Sequence, residues 1–383
     1  MIYIHIPYCR SFCTYCDFYS EVASRCSTYE GFAKALSSEI AARKCEIENN
    51  ILSPSGVNTL YIGGGTPSVL PLSVFESVLS SLKSVGCNCD FDEFTVEVNP
   101  EDIVEKGHGY VEGLLRLGVN RISMGVQSFD DDTLKWMNRR HNSARARQAY
   151  AILEEAGVRN ISIDLIFGLP QLSLEGWKEN LSKALSISPS GVFPSHISSY
   201  QLSVEEGSAL ASLMAKGKWS EASDEVCALQ YETLCEMLRE AGYHHYEISN
   251  FAQPGYEARH NSAYWNHTPY IGLGPGAHSY IPDSRKWNNP DLMAYIEAGK
   301  IGDFSAVSGG EILTAEQLGL ERLMLGLRTS EGLSADFLEG FCAKESIRKA
   351  LDEGHLQLLD NGLFRIPEQH FFISDAIITD LSL

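Results

Sequence analysis

The chain has 383 residues, 44% hydrophobic and 21% charged, enough for one large domain with its own core and a smaller one beside it. Its 30 Lys and Arg stand against 50 Asp and Glu, a net charge of -20. A surface that acidic repels phosphate backbones, so nucleic acid is not an expected partner unless a local basic patch hides in the total.

The first predicted element is an apolar strand, Ile2–Ile6, with no basic segment or cleavage site of a secretory leader before it. No run of about 18 apolar residues that could span a membrane follows. A cytoplasmic, reducing setting is the expectation, and there close cysteines more often bind metal or do chemistry than pair. Three come at once, Cys9, Cys13 and Cys16, spaced C-x3-C-x2-C. Short, unequal spacings let one loop wrap three corners of a cubic 4Fe–4S cluster, which leaves one iron open to a small chelating molecule. Structural zinc would ask for four N or S ligands, usually as two pairs, and no second pair stands nearby. Buried small hydrophobes or a zinc remnant are the competing readings. The remaining cysteines, Cys26, Cys45, Cys87, Cys89, Cys227, Cys235 and Cys342, are scattered, and the close pair Cys87-x-Cys89 reads as incidental.

From there to about residue 250, β-branched and aromatic runs alternate with helix-period segments, the pattern of repeated βα units and a parallel sheet. The spacing predicts strands at Val57–Ile62, Glu93–Val98, Arg121–Met124, Ile161–Ile166 and His196–Leu202, with a short one at Tyr243–Ile248. Phe32, Leu36 and Ile40 repeat at helical spacing, as do Val226, Leu229, Thr233 and Met237. Six βα units make a curved, partly open barrel, two short of a closed one. Residues 252–312 are rich in Gly, Pro, Asn, Tyr and Trp and weak in periodicity, so ordered loops are expected there. Thr314 with Gln317 predicts a capping box, opening a helix that carries Leu318, Leu320, Leu323, Met324 and Leu327 up to Gly332. Two more helices and a strand pair, Leu356–Leu359 with Leu363–Ile366, complete the chain. The expected fold is α/β: a partial (β/α)6 barrel with a small α+β C-terminal domain, divided as a core barrel 1–250, a loop-rich connection 251–312 and a C-terminal domain 313–383.

Chemistry-bearing residues fall at the predicted strand ends. Gly63-Gly64-Gly65-Thr66-Pro67 follows the second strand, where glycines let backbone approach a ligand and the C-terminal rim of a barrel builds its site. Glu97, Gln127 and Asp164 follow at the third, fourth and fifth strands. A carboxylate inside an apolar strand is costly without a ligand or partner. One could be a buried ion pair, whereas successive strand ends read as one shared pocket.

The cysteine triplet together with Gly63-Gly64-Gly65-Thr66-Pro67 resembles the radical S-adenosylmethionine superfamily. Tyr3-Ile4-His5-Ile6-Pro7, the string from Arg121 to Phe129, the string from Asp164 to Pro170 and the tail around Met324–Arg328 narrow this. They resemble the branch of oxygen-independent coproporphyrinogen III oxidases (HemN) and HemN-like heme chaperones (HemW), over nearly the whole chain. The resemblance implies a partial (β/α)6 barrel whose cluster, held by Cys9, Cys13 and Cys16, has its open iron chelated by the amino and carboxylate groups of S-adenosylmethionine. It places Tyr3 beside the adenosine and Gly64, Gly65 and Thr66 at the methionine amino end. Glu97, Gln127, Arg139 and Asp164 complete the site. A guanidinium fork matches two carboxylate oxygens, although Arg139 taken alone reads as a solvated helix charge beside Arg140.

Three features separate the two relatives, and all favour the chaperone type. The oxidase carries a fourth cysteine where this chain has Phe18; it carries a segment before its first strand where none is expected here; and His260-Asn261-Ser262-Ala263-Tyr264-Trp265 matches the H-N-x-x-Y-W signature of the chaperone type. The resemblance then implies heme as a cofactor, with His260 as iron ligand and Tyr264 or Trp265 packed on the macrocycle. A hydrogen-bonded loop histidine is the competing reading. His244, His245, His267 and His278 are unranked alternatives, and Glu247 is a further pocket candidate. Implied partners are an acceptor haemoprotein, an electron donor such as flavodoxin or ferredoxin, and a heme-receiving complex met peripherally at the membrane. The alternative activity is oxidative decarboxylation of coproporphyrinogen III.

Overall fold

Runs of β-branched and aromatic residues become strands where the alternation predicts them, in a computed structural model that describes residues 1–23, 29–51 and 56–382. Cys26 lies outside the described residues. The predicted barrel strands are β1 (Ile2–Ile6), β2 (Thr59–Gly64), β3 (Glu93–Val98), β4 (Arg121–Gln127), β5 (Asn160–Phe167) and β6 (His196–Gln201). With β7 (His244–Glu247), β8 (Asn250–Ala252) and β9 (Ile271–Leu273) they form one nine-stranded sheet in the order β9-β1-β2-β3-β4-β5-β6-β8-β7. Every pair from β9 to β6 is parallel, and the last two are antiparallel. The edges do not meet, so the barrel is open, as six βα units require.

Helices α1 (Tyr29–Ala42), α2 (Leu72–Ser84), α3 (Pro100–Arg116), α4 (Ser143–Glu155), α5 (Leu174–Leu185) and α6 (Asp224–Glu240) lie between successive strands. Asn99, Asn142, Ser173 and Ser223 start four of them by accepting from backbone N–H groups two or three residues on, each cap contributing about 1 kcal/mol. At the far end of α3, Gly118 takes φ +94°, a left-handed conformation that costs glycine nothing. The Val119 N–H then returns to the Leu114 carbonyl at 3.1 Å and the chain enters β4.

The two faces of the sheet divide the labour. Ile4, Ile62, Val96, Ile122 and Ile161 lie in register across five strands and are buried in the apolar core. The alternate residues, such as Tyr61, Glu97, Ser123, Asp164 and Ser198, line the interior instead. A period of two thus puts oil outside and polar groups within.

The region 251–312 departs from the expectation of loops. Its β9 extends the main sheet beside β1, and α7 (Leu292–Ile301) packs on α1. His278–Ile281, Ser284–Asn288 and Ser308–Ile312 make a three-stranded antiparallel sheet. The side chain of Glu39, fully buried on α1, ties this region down by accepting from Gly274 N–H (2.8 Å), Asn288 Nδ2 (2.8 Å), the Tyr295 hydroxyl (2.6 Å) and Arg43 (3.2 Å).

In the tail, the Thr314–Gln317 capping box forms as predicted and opens Ala315–Gly326. Three helices follow rather than two, Ala335–Phe341, Lys344–Asp352 and Ser374–Ser382, and Leu333–Ser334 adds a third strand to the predicted pair. Among the described residues no helix is long and apolar enough to cross a membrane.

Candidate functional site

The loop that carries the cysteines is strapped from two sides. Gly65 N–H donates to the Ile6 carbonyl at 2.8 Å and Thr66 N–H to Tyr8 at 2.7 Å, which fastens the glycine loop after β2 to the start of the cysteine loop. A Cβ on Gly65 would stand 2.7 Å from the Tyr8 oxygen and 2.8 Å from that of Ile6, so only glycine permits the approach. From the other side, Thr14 N–H donates to the Met137 carbonyl (3.1 Å), the Thr14 hydroxyl to Trp136 (2.8 Å) and Asn138 Nδ2 to Phe12 (2.6 Å).

This brings Cys9, Cys13 and Cys16 to the wall of a cavity of about 880 Å³, shared with Gly64, Gly65, Thr66, Glu97, Gln127, Arg139 and Asp164. Three of its walls thus come from residues the sequence singled out. Cys9 Sγ lies 3.3 Å from the Thr66 hydroxyl, and Arg139 Nη1 donates to Cys13 Sγ at 3.4 Å. All three thiols are free. Among the described residues no three His, Cys, Asp or Glu are close enough to hold a single metal ion, and the corners of a cluster, one thiolate per iron, ask for wider placement. Burial, with Cys13 and Cys9 beside it, pushes the Cys16 thiol up to about 12, and burial raises Cys9 too. Left bare, Cys9 and Cys16 keep their protons; a bound iron cluster would hold all three sulfurs as thiolates. The donor set fits a three-thiolate cluster.

Two carboxyls line the same cavity. Glu97 accepts from the Tyr61 hydroxyl at 2.7 Å and from Gly64 N–H at 3.1 Å. Asp164 accepts from the Ser123 hydroxyl at 3.1 Å. Burial first, and then their mutual repulsion in the case of Glu97, raises Glu97 to about 7 and Asp164 to about 6, with Arg121 pulling both back down. Gln127 sits where the register with β5 slips, at φ +67°. A left-handed glutamine stores strain of about 1–3 kcal/mol, a cost tolerated where a side chain must be aimed. Arg139 Nη2 donates to the Gly125 carbonyl at 2.5 Å and its Nε is buried without a partner, so a charged donor remains for a ligand oxygen.

Two residues fall outside this wall. Tyr3 is one strand position behind it, its hydroxyl 3.0 Å from His5 Nδ1 and its ring 6.1 Å from Tyr61, which does line the cavity. His260 is only 1% exposed, with Nδ1 2.8 Å from the Thr59 hydroxyl and Nε2 3.0 Å from that of Tyr264. Both ring nitrogens are spoken for, and burial holds its pKa well down. In this structure His260 is a hydrogen-bonded core residue, the arrangement of the competing reading, and its neighbour Asn261 lines the cavity. Glu247 also lies apart, wholly buried and accepting from Ser249 N–H at 3.1 Å.

Arg121, Ser123, Ser198 and Tyr200 line the cavity without having been singled out. Their signal was available: Arg121, Ser123, Gly125 and Gln127 occupy alternate positions of one strand, as do Ser198 and Tyr200, so an inward-facing Gln127 implies the others.

The raised carboxyls make a test. Folded Asp164 and Glu97 hold protons more tightly than they do unfolded, so their contribution to stability is complete below about pH 4 and is lost as pH rises through about 6 to 7. Asp164→Asn, free of ligand, should therefore melt higher than the parent near about pH 8, by up to about 3 kcal/mol, keep roughly half of that advantage near about pH 5, and match the parent only below about pH 4. Melting curves that coincide throughout would mean Asp164 is ordinary in its acidity.

With the geometry in place, comparison shows what the chain is similar to. Residues 3–184 match the model of the Radical SAM superfamily. "Heme chaperone HemW" of Bacillus subtilis (strain 168) is 35% identical over 337 residues, 87% of this chain and 84% of that one. "Heme chaperone HemW" of Lactococcus lactis subsp. lactis (strain IL1403) is 32% identical over 373 residues, covering 97% of this chain and 93% of its own. Among solved structures, coproporphyrinogen III oxidase (HemN) from Escherichia coli superposes with a TM-score of 0.79 over 100% of this chain and 89% of that one, at 21% identity. That last likeness speaks for the fold.

Proposed function

The chain belongs to the HemW family of the radical S-adenosylmethionine superfamily, and from that premise we propose that it is a heme chaperone, one that binds heme and passes it to an acceptor haemoprotein. One observation carries the reading: a single cavity in which Cys9, Cys13 and Cys16 face Gly64, Gly65, Thr66, Glu97, Gln127, Arg139 and Asp164. A bound 4Fe–4S cluster would supply an open iron for S-adenosylmethionine to chelate and one electron to pass to it.

The protein's own residues bind and orient. Arg139 holds out a buried guanidinium to a carboxylate. Gly64 and Gly65 let backbone close on the amino end, with Thr66 adding a hydroxyl. Glu97 and Asp164, buried in the wall, supply the negative charge that a sulfonium cation gains most from in a water-poor cavity. Phe18, standing where the oxidase pattern has a fourth cysteine, supports the chaperone reading over the oxidase one. An electron carrier of the flavodoxin or ferredoxin type would serve as reductant, and the net charge of -20 suits a basic face on whichever partner docks. Residues 1–250 would act as the binding core, with 251–312 and 313–383 as its supports.

The deciding experiment is anaerobic. Protein with its cluster reconstituted is titrated with hemin, then mixed with an apo-haemoprotein, with coproporphyrinogen III, reductant and S-adenosylmethionine in a parallel sample. Near-stoichiometric hemin uptake, delivery to the acceptor and no protoporphyrinogen IX are expected. Conversion of coproporphyrinogen III would overturn the proposal in favour of the oxidase.

A further inference from the structure

Phenylalanines in a well-packed chain are usually covered, yet Phe12 is 51% and Phe18 66% exposed while both line the cavity. Tyr200, 43% exposed, borders the same space from the end of β6. Aromatic rings left in water around one opening mark a surface that awaits a ligand. The charge there departs from that of the rest of the molecule. Arg10, Arg121, Arg139 and Arg140 line the cavity against four carboxylates, so it is balanced within a chain of net charge -20. Among the described residues no histidine lines it, and His260 is closed off by Thr59 and Tyr264.

We infer that a flat tetrapyrrole bearing carboxylate arms docks across the mouth of this cavity, against Phe12, Phe18 and Tyr200, with its arms toward Arg10 and Arg140 and without a histidine ligand from these walls. The inference rests on the heme-chaperone reading and gives heme a place within it. Aromatic faces meet a macrocycle by offset stacking, which adds to the gain from burying both surfaces. Arg10 and Arg140 already hold Asp102 and Glu105: Arg10 through Nε at 3.6 Å and Nη1 at 2.5 Å, Arg140 through Nη1 at 2.7 Å and Nη2 at 3.3 Å. These pairs fix both guanidiniums at the rim. Each has five N–H groups, and the Arg10 side chain stays 38% exposed.

The test is a hemin titration of the cluster-loaded full chain, read by the Soret band without oxygen. Phe18→Ser and Tyr200→Ala should each weaken hemin binding about tenfold, and Phe12→Ser with Phe18→Ser together more. Tyr200 stands on β6, away from the cysteine loop but in the wall with Ser198 and Asp164, so visible absorption and iron content check the cluster site in each variant and S-adenosylmethionine binding checks the rest of the cavity. Unchanged hemin affinity in Tyr200→Ala and Phe18→Ser, with the parent binding normally, overturns the inference and leaves the chaperone reading standing. A parent that takes up no hemin sinks that reading itself. Loss of acceptor binding or of self-association in the Phe variants at unchanged hemin affinity would assign the rings to a protein interface and also overturn the inference.

Discussion

Serine at Cys9, Cys13 or Cys16 is expected to abolish the brown absorption of the reconstituted protein, roughly 400–420 nm, and to strip its iron. A hydroxyl is a harder and far less acidic ligand than a thiol, and soft thiolates are what select iron–sulfur clusters. The size of the effect follows from the count: three protein sulfurs are already one short of the usual four, and among the described residues no other cysteine lines the cavity. The fold should survive. The loop is held by main-chain bonds from Gly65, Thr66 and Thr14 rather than by the sulfurs, so far-UV circular dichroism and melting temperature of the ligand-free variants should match the parent. Iron content unchanged in all three variants would remove the cluster from this cavity.

The second large effect lies in the core rather than the site. Glu39→Ala should cost about 3–5 kcal/mol, because it leaves the Tyr295 hydroxyl and the Gly274 N–H without this acceptor in the interior and takes one of two acceptors from Asn288 Nδ2, which keeps the Gly274 carbonyl. For a chain of this length that corresponds to a fall of roughly 5 °C in melting temperature. Glu39→Gln, which keeps an acceptor oxygen, should lose markedly less. Beyond stability, Gly274 follows β9 and Tyr295 lies on α7, so release of Glu39 should expose that edge first. Faster hydrogen exchange in 271–273 and 292–301 than in β4 and β5 is the expected signature. A loss below about 1 kcal/mol would show that the carboxyl is replaceable there.

These two positions also mark where the sequence is transparent. The cysteines and Gly63–Thr66 announce themselves, since spacing and composition are local properties. Glu97, Gln127 and Asp164 are visible because a polar residue in an apolar strand demands an explanation, and alternation then sends all of them to one side. Glu39 gives no such sign: it lies on a helix, and apart from Arg43 one turn on, its partners stand 235 to 256 residues away. The surroundings of His260 are hidden for the same reason. Its motif suggests a ligand, while the hydroxyls that hold its ring, those of Thr59 and Tyr264, include one 201 residues distant.

What the sequence determined by itself is therefore the alternation of strand and helix, the order of six βα units and the gathering of three cysteines on one loop, because each depends on neighbours within a few turns or one pleat. Only the tertiary structure decided that 251–312 completes the sheet through β9 beside β1, that His260 is sealed into the core, and that Phe12, Phe18 and Tyr200 are left uncovered around one opening. Burial and hydrogen-bond partnership are properties of what packs against a residue, and packing partners far along the chain write no local pattern.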